Sequence, residues 1–157
     1  MAANATRPNG IAISPNRQRL YVANYDYPGP GIYGALSMEF NGPSLIASGH
    51  ILVYKILPDR NLRFEKKIAH FEGGGPDGLK VDTEENVYVI ESNHLYIYLS
   101  EEDKLAEMKI PIENGFAANL CFGMGKYSKT LFITATHTLY MITTKKEGFH
   151  IEQTSNK

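Results

Sequence analysis

The same short pattern occurs three times along the chain, and this repetition limits the fold more than any other feature of the sequence. Each copy is a run in which apolar residues occupy every second position, and the copies start at Pro8, Pro76 and Ala117. Polar turn residues and further short alternating runs follow each copy, which is typical of β-strands. No stretch as long as an ordinary helix keeps its apolar residues on one helical face. The sequence therefore predicts an all-β protein.

The repeats have the length of four short strands each. Asn9 and its equivalent Asp77 are 68 residues apart, and Asp77 and its equivalent Ala118 are 41 residues apart. A repeated four-stranded unit of about 40–45 residues is typical of β-propeller blades. We predict one unit over residues 1–157 with about three antiparallel blades. These cover about residues 8–72 with an inserted loop at 26–49, about 76–113, and about 117–153, where residues 149–152 form the last strand.

Composition excludes several classes of protein. The 157 residues include 16 Lys and Arg and 17 Asp and Glu, giving a net charge of -1 rather than the cationic excess that nucleic-acid binders show. Apolar runs fall short of the ~18–20 residues of a membrane span, and the N-terminus lacks the apolar core of a secretory signal. A single cysteine, Cys121, excludes an internal disulfide framework. We expect a soluble, cytoplasmic protein with neither nucleic acid nor membrane as partner.

Three groups of segments together resemble one known family. They are residues 7–14 with 20–24, residues 75–82 with 86–89, and residues 118–123 with 130–135 and 138–140. In order and spacing they are similar to the C-terminal half of the family of senescence marker protein (regucalcin), gluconolactonase and their lactonase relatives. The resemblance implies half of a six-bladed propeller, one divalent metal ion in the central channel, and hydrolysis of sugar lactones or related cyclic esters.

Two site residues follow from this resemblance. Asn9 resembles the family's asparagine metal ligand, and Asp77 resembles its aspartate, which binds the metal and is proposed as the general base. Both lie just before the first strand of a repeat, so their short side chains can converge at one mouth of the channel. Such oxygen donors suit Ca²⁺ and also tolerate Zn²⁺ or Mn²⁺. The simpler interpretation is that Asp77 and Asn9 are turn residues beside Gly78 and Gly10.

The chain also departs from the family pattern. The family's glutamate ligand and a further asparagine belong to the half that precedes the segments found here, and two ligands are fewer than the six to eight oxygens that Ca²⁺ takes. Three alternatives follow: the chain is a fragment, a second copy completes a six-bladed ring as a homodimer, or the metal function is lost. In the last case the chain is a non-catalytic propeller piece that serves as a binding or interaction module, or a degenerate half-gene.

The remaining chemistry-bearing residues receive weaker roles. Two interpretations of the inserted loop stay open: it is a plain insertion, or it is a lid in which Tyr25, Tyr27 and Tyr33 contact the ring of a lactone substrate or cap the channel. Cys121 lies in an apolar strand and is expected to be a small buried side chain. The five histidines show no metal-ligand spacing, so we expect them at strand edges and turns: His50, His70, His94, His137 and His150.

Overall fold

A computed structural model describes residues 5–26, 48–72 and 74–151, and it folds them into three antiparallel sheets. The first sheet contains β1 (Pro8–Ile13), β2 (Arg19–Asp26), β3 (Ser48–Ile56) and β4 (Leu62–Glu72). The second contains β5 (Leu79–Val81), β6 (Val87–Glu91), β7 (His94–Leu99) and β8 (Lys104–Lys109). The third contains β9 (Ala117–Phe122), β10 (Thr130–Ala135) and β11 (Thr138–Thr143), with a short 3-10 helix at Gly125–Tyr127. The prediction of an all-β chain built from antiparallel sheets is confirmed.

The second sheet lies between the other two, which explains why its strand β6 is apolar at almost every position. Val87 and Val89 pack into a cluster with side chains of the first sheet, such as Ala23 and Ile51. Ile90, on the opposite face of the strand, packs into a second cluster with side chains of the third sheet. Burying each such side chain stabilises the fold by about 1.5–3 kcal/mol. The three sheets are therefore held together by apolar layers between their faces.

The first strands of the three sheets lie side by side, and glycines permit their close approach. The backbone amide of Gly10 donates to the carbonyl of Asp77 at 3.1 Å, and the amide of Gly78 donates to the carbonyl of Ala118 at 3.0 Å. A methyl group on Gly10 would clash with the Asp77 carbonyl, and one on Gly78 would clash with Asn119. The starts of β1, β5 and β9 are therefore bonded in a row, and this row positions the residues just before them.

The predicted fourth strand of the third repeat is wrong for the residues that the structure describes. Instead of pairing with β11, Gly148 forms an isolated bridge with Asp82, and the amide of Phe149 donates to the carbonyl of Val81 at 3.0 Å. Gly148 lies so close to Phe122 that a side chain would clash there. The polar residues 144–147 offer β11 no apolar face to pack against, so the chain crosses to the end of β5. Glu152 lies outside the described residues.

The two outer flanks of this three-sheet stack differ. On the first sheet, Val22, Leu52 and Tyr54 point away from the cluster shared with the second sheet, yet they are only 8%, 0% and 1% exposed. On the third sheet, Leu139 and Met141 are 65% and 66% exposed. The third sheet therefore exposes more of the apolar surface of its outer flank than the first sheet does, although Leu62 and Phe64 of β4 are also 38% and 37% exposed. No helix in the described part of the chain is long and apolar enough to cross a membrane.

Cys121 is exposed, which corrects the expectation that it is buried. Its neighbours Leu120 and Phe122 point into the cluster shared with the second sheet. Because side chains alternate along a strand, Cys121 lies on the opposite, outer face of β9. It pairs in register with Phe132 of β10 on that same face.

Candidate functional site

Asn9 and Asp77 meet at the row of inner strand starts, although 68 residues separate them in the sequence. The side-chain amide nitrogen of Asn9 donates a hydrogen bond to Oδ1 of Asp77. The backbone bond from Gly10 to Asp77 fixes the two loops next to each other. The structure thus brings together the two residues that the resemblance proposes as ligands. Their roles stay predictions.

Asp77 is held in a setting that disfavours its charge. The loop is anchored to β6, since the Asp77 amide donates to the carbonyl of Ile90 at 2.7 Å and the Ile90 amide donates to that of Gly78 at 3.0 Å. Burial and, secondarily, the negative charge of Glu91 raise the pKa of Asp77, while the hydrogen bond from Asn9 acts in the opposite sense. A carboxylate whose pKa is raised accepts a proton more readily than an ordinary surface aspartate.

Glu91 is a site residue that the sequence analysis missed. It is the last residue of β6, and its carboxylate lies against Gly74 and accepts a hydrogen bond from the Ser92 hydroxyl at 2.5 Å. β5 and β6 are antiparallel neighbours, so the end of β6 lies beside the loop that precedes β5. That pairing could have indicated Glu91, since it is the polar residue that follows the apolar run 87–90 within β6.

Tyr25 forms a wall beside the Asn9–Asp77 pair. Its ring packs against Gly75, where a side chain would clash with it, and the Arg7 guanidinium lies 6.0 Å from the ring centroid. A cavity of about 280 Å³ is lined by residues 7–9, Tyr25 and residues 75–77. The structure thus places Tyr25 on the same cavity as Asn9 and Asp77. Tyr27 and Tyr33 lie outside the described residues.

The donor chemistry at this mouth suits a hard cation but is sparse. Asn9 offers an amide oxygen and Asp77 a carboxylate, which are oxygen donors of the type that Ca²⁺ takes. Within the residues that the structure describes, no group of three or more His, Cys, Asp or Glu side chains could hold a metal ion. The third repeat adds no carboxylate, because Ala118 stands at the equivalent position. Asn9 and Asp77 therefore offer the type of donor atom that a hard cation binds, but they supply only part of its ligands.

The molecule belongs by its fold to the repeat proteins of the propeller type. Its antiparallel sheets stack face to face, and their first strands lie side by side next to the polar cavity of Asn9 and Asp77. The chain belongs to the SMP-30/gluconolactonase/LRE-like family, whose model matches residues 46–137. It is 32% identical over 149 residues to the gluconolactonase of Zymomonas mobilis subsp. mobilis, covering 93% of this chain and 37% of that protein. The X-ray structure of a candidate gluconolactonase superposes with a TM-score of 0.64 at 20% identity, over 94% of this chain and 42% of that one.

These comparisons confirm the resemblance that the sequence segments carry. The structural neighbour supports the fold. The chain spans well under half the length of each of these two relatives. The activity of a whole gluconolactonase is therefore a proposal for this chain, as are its metal and its blade count.

Proposed function

We propose that this chain carries the catalytic mouth of a metal-dependent hydrolase of sugar lactones or related cyclic esters. The observation that carries the proposal is the contact between Asn9 and Asp77, which two different repeats bring to one mouth. Family membership supports the reaction class. The raised pKa of Asp77 supports its role as a proton acceptor.

Asp77 is the general base in this proposal. Oδ1 accepts the hydrogen bond from Asn9, and Oδ2 has no hydrogen-bond partner among the residues that the structure describes. Oδ2 is therefore the atom that takes a proton from the attacking water and later returns it to the ring oxygen as the ester bond opens. Asn9 fixes the orientation of the carboxylate. Tyr25 offers an aromatic face to the apolar side of a sugar ring.

A divalent cation, with Ca²⁺ favoured and Zn²⁺ or Mn²⁺ as alternatives, would be held in part by the oxygens of Asn9 and Asp77. When bound, it supplies polarisation of the lactone carbonyl. The remaining ligands must come from outside the described residues. A second copy of the chain is one source, because a homodimer would bring two Asn9 and two Asp77 to one channel. The remainder of a longer protein is the other source.

The test is lactone hydrolysis followed in a pH-stat with gluconolactone as substrate, in the presence of Ca²⁺, Zn²⁺ or Mn²⁺ and after EDTA treatment. We expect Asp77→Asn to lower turnover about 10²–10⁴-fold, the usual contribution of a general base, without loss of folding. Asn9→Ala should mainly raise the metal concentration needed for activity. Asp59→Asn is the matched control, since Asp59 lies in the turn between β3 and β4.

Unchanged turnover in Asp77→Asn would exclude the assigned base. Absence of lactone hydrolysis by the folded wild-type protein under all three metal conditions would favour the alternative function, a non-catalytic binding or interaction module.

A further inference from the structure

Three titratable side chains form a chain of hydrogen bonds across the first sheet. Oδ2 of Asp26 on β2 lies 2.8 Å from Nδ1 of His50 on β3. Nε2 of His50 lies 2.9 Å from Nδ1 of His70 on β4, and the two imidazole centroids are 4.7 Å apart. We call these three residues the Asp26–His50–His70 relay. It lies at the same end of the sheet as Asn9, because Pro8, Asn24, His50 and His70 are successive register partners.

A β-bulge puts His70 into this relay. Ile51 pairs with Ile68 and His50 pairs with His70, so Ala69 is an extra residue in β4, and its φ of 51° is in the left-handed region. Without the extra residue, His70 would point toward the second sheet and Phe71 away from it. The bulge instead buries Phe71 and leaves His70 exposed beside His50. A left-handed alanine costs about 1 kcal/mol, and such strain clusters at functional positions.

The hydrogen bonds around Asp26 determine which nitrogen of His50 carries the proton. Lys67 Nζ donates to Oδ2 of Asp26 at 2.9 Å, and Asn24 donates to Oδ1 at 2.6 Å. Burial by itself would raise the pKa of Asp26, but the hydrogen bonds from Lys67 and His50 outweigh it and hold that pKa below its ordinary value. Burial lowers the pKa of His50, because the protonated imidazole is the charged form. An ionised carboxylate only accepts hydrogen bonds, so neutral His50 must carry its proton on Nδ1 and offer a lone pair at Nε2.

The tautomer of His70 follows from that of His50. Nε2 of His50 can only accept, so His70 donates from Nδ1, and its own lone pair is left on Nε2. His70 is exposed, whereas the side chains of His50 and Asp26 are 19% and 22% accessible. The relay therefore presents one oriented proton-accepting nitrogen at the surface.

We propose that Nε2 of His70 is a general base for the hydrolysis of small esters that needs no metal ion, with His50 and Asp26 as its positioning residues. Nε2 takes a proton from water as the water oxygen bonds to the acyl carbon. The bond from that carbon to the leaving oxygen then breaks, and the imidazolium returns its proton to the leaving alkoxide. The products are a carboxylic acid and an alcohol. This activity is separate from that of Asp77, which is proposed to act with a cation.

The probe is 4-nitrophenyl acetate, with the full chain in excess EDTA and 4-nitrophenolate release followed by absorbance. We expect His70→Gln to lower the enzyme-dependent rate about tenfold or more. The control is His94→Gln, because His94 also faces a carboxylate, Glu107 at 3.4 Å, but has no second imidazole against it among the described residues. His94→Gln should keep the wild-type rate. An unchanged rate in folded His70→Gln overturns the proposal.

The positioning role has its own readout. Among the described residues, the charged groups that act on His50 are Asp26 and Lys67, and the cleft that His70 lines is also lined by Lys66, Lys67 and Asp103. Asp26→Asn removes the negative charge that stabilises a protonated relay and leaves the Lys67 cation unopposed. The midpoint of the rate–pH profile should therefore move to lower pH, with the plateau rate reduced. ¹⁵N NMR of histidine-labelled wild-type protein should show both rings protonated at Nδ1. A midpoint unmoved in Asp26→Asn, or an acetyl group accumulating on His70, would overturn the general-base assignment.

Discussion

Asp82 is a carboxylate buried completely at the end of β5, and it organises the turn that leads into β6. Its Oδ1 accepts from the amides of Glu84 and Asn86, both at 2.9 Å. Its Oδ2 accepts from the side chains of Asn86 and Tyr88. Burial first, and then the Asp82 charge and hydrogen bond, raise the pKa of Tyr88 well above its ordinary value. Every lone pair of this buried charge has a donor, as a stable buried carboxylate requires.

Asp82→Ala should therefore lower the free energy of unfolding by about 3 kcal/mol, because two backbone amides and two side chains lose a charged acceptor. The measurement is urea denaturation followed by circular dichroism. Asp59→Ala is the control, since Asp59 also accepts from a backbone amide two residues on but is fully exposed. Equal losses in the two variants would contradict the role of burial.

At the scale of strands, the approach of β1 to β5 depends on Gly10. A methyl group there would meet the backbone of residues 77–79 and not a side chain that can move aside. Gly10→Ala should destabilise the fold by about 1–3 kcal/mol and lower lactone turnover, because it separates Asn9 from Asp77. Gly125→Ala is the comparison, since an added methyl there meets open space and costs only the strain of a side chain at a φ of 58°, about 1 kcal/mol. That variant should keep its turnover; a loss as large as that of Gly10→Ala would contradict the explanation.

The relay across β2, β3 and β4 predicts acid sensitivity. The pKa of His50 is lowered from 6.5 and that of Asp26 from 3.8, so in each case the unfolded chain binds a proton more readily than the folded one. Stability is therefore full above about pH 6.5 and falls as the pH drops below it, and falls again below about pH 4. Melting temperatures of the wild type and His50→Gln between pH 4 and 8 test this. The loss between pH 7 and 5 should be smaller in the variant; parallel curves would contradict it.

Alternation of apolar residues was sufficient to predict the sheet class and the inner strand starts, because burial at every second position is a local signal. The repeat also placed Asn9 and Asp77 at equivalent positions, which is why their meeting could be predicted. The contact between His50 and His70 could not be predicted in this way, because it depends on one extra residue in β4. The prediction of a fourth strand in the third repeat failed because residues 148–149 bond to the end of β5 at Val81, which is far away in the sequence.

At the scale of the whole molecule, the exposed face of the third sheet predicts association. We propose a homodimer in which two copies complete a ring of six blades. Leu139 and Met141 expose apolar surface whose burial is worth about 25 cal/mol per Å². Sedimentation equilibrium of the wild type should give about twice the chain mass of 17.5 kDa. Leu139→Glu combined with Met141→Glu should shift the protein to monomer, whereas His137→Glu should not.

A folded monomer of the wild type at micromolar concentration would exclude the homodimer. In that case either further sequence joined to this chain supplies the missing ligands, or the metal function is lost.

The crossing of residues 148–149 to the end of β5 has a consequence for how the molecule comes apart. In a simple stack of repeats, a terminal unit can fray while its neighbour stays folded. Here the segment after β11 is bonded to Val81 and Asp82 of the second sheet, so the third sheet cannot peel away without breaking that attachment. The amides of β9 and β10 should therefore exchange with solvent deuterium as slowly as those of β6, in one cooperative opening.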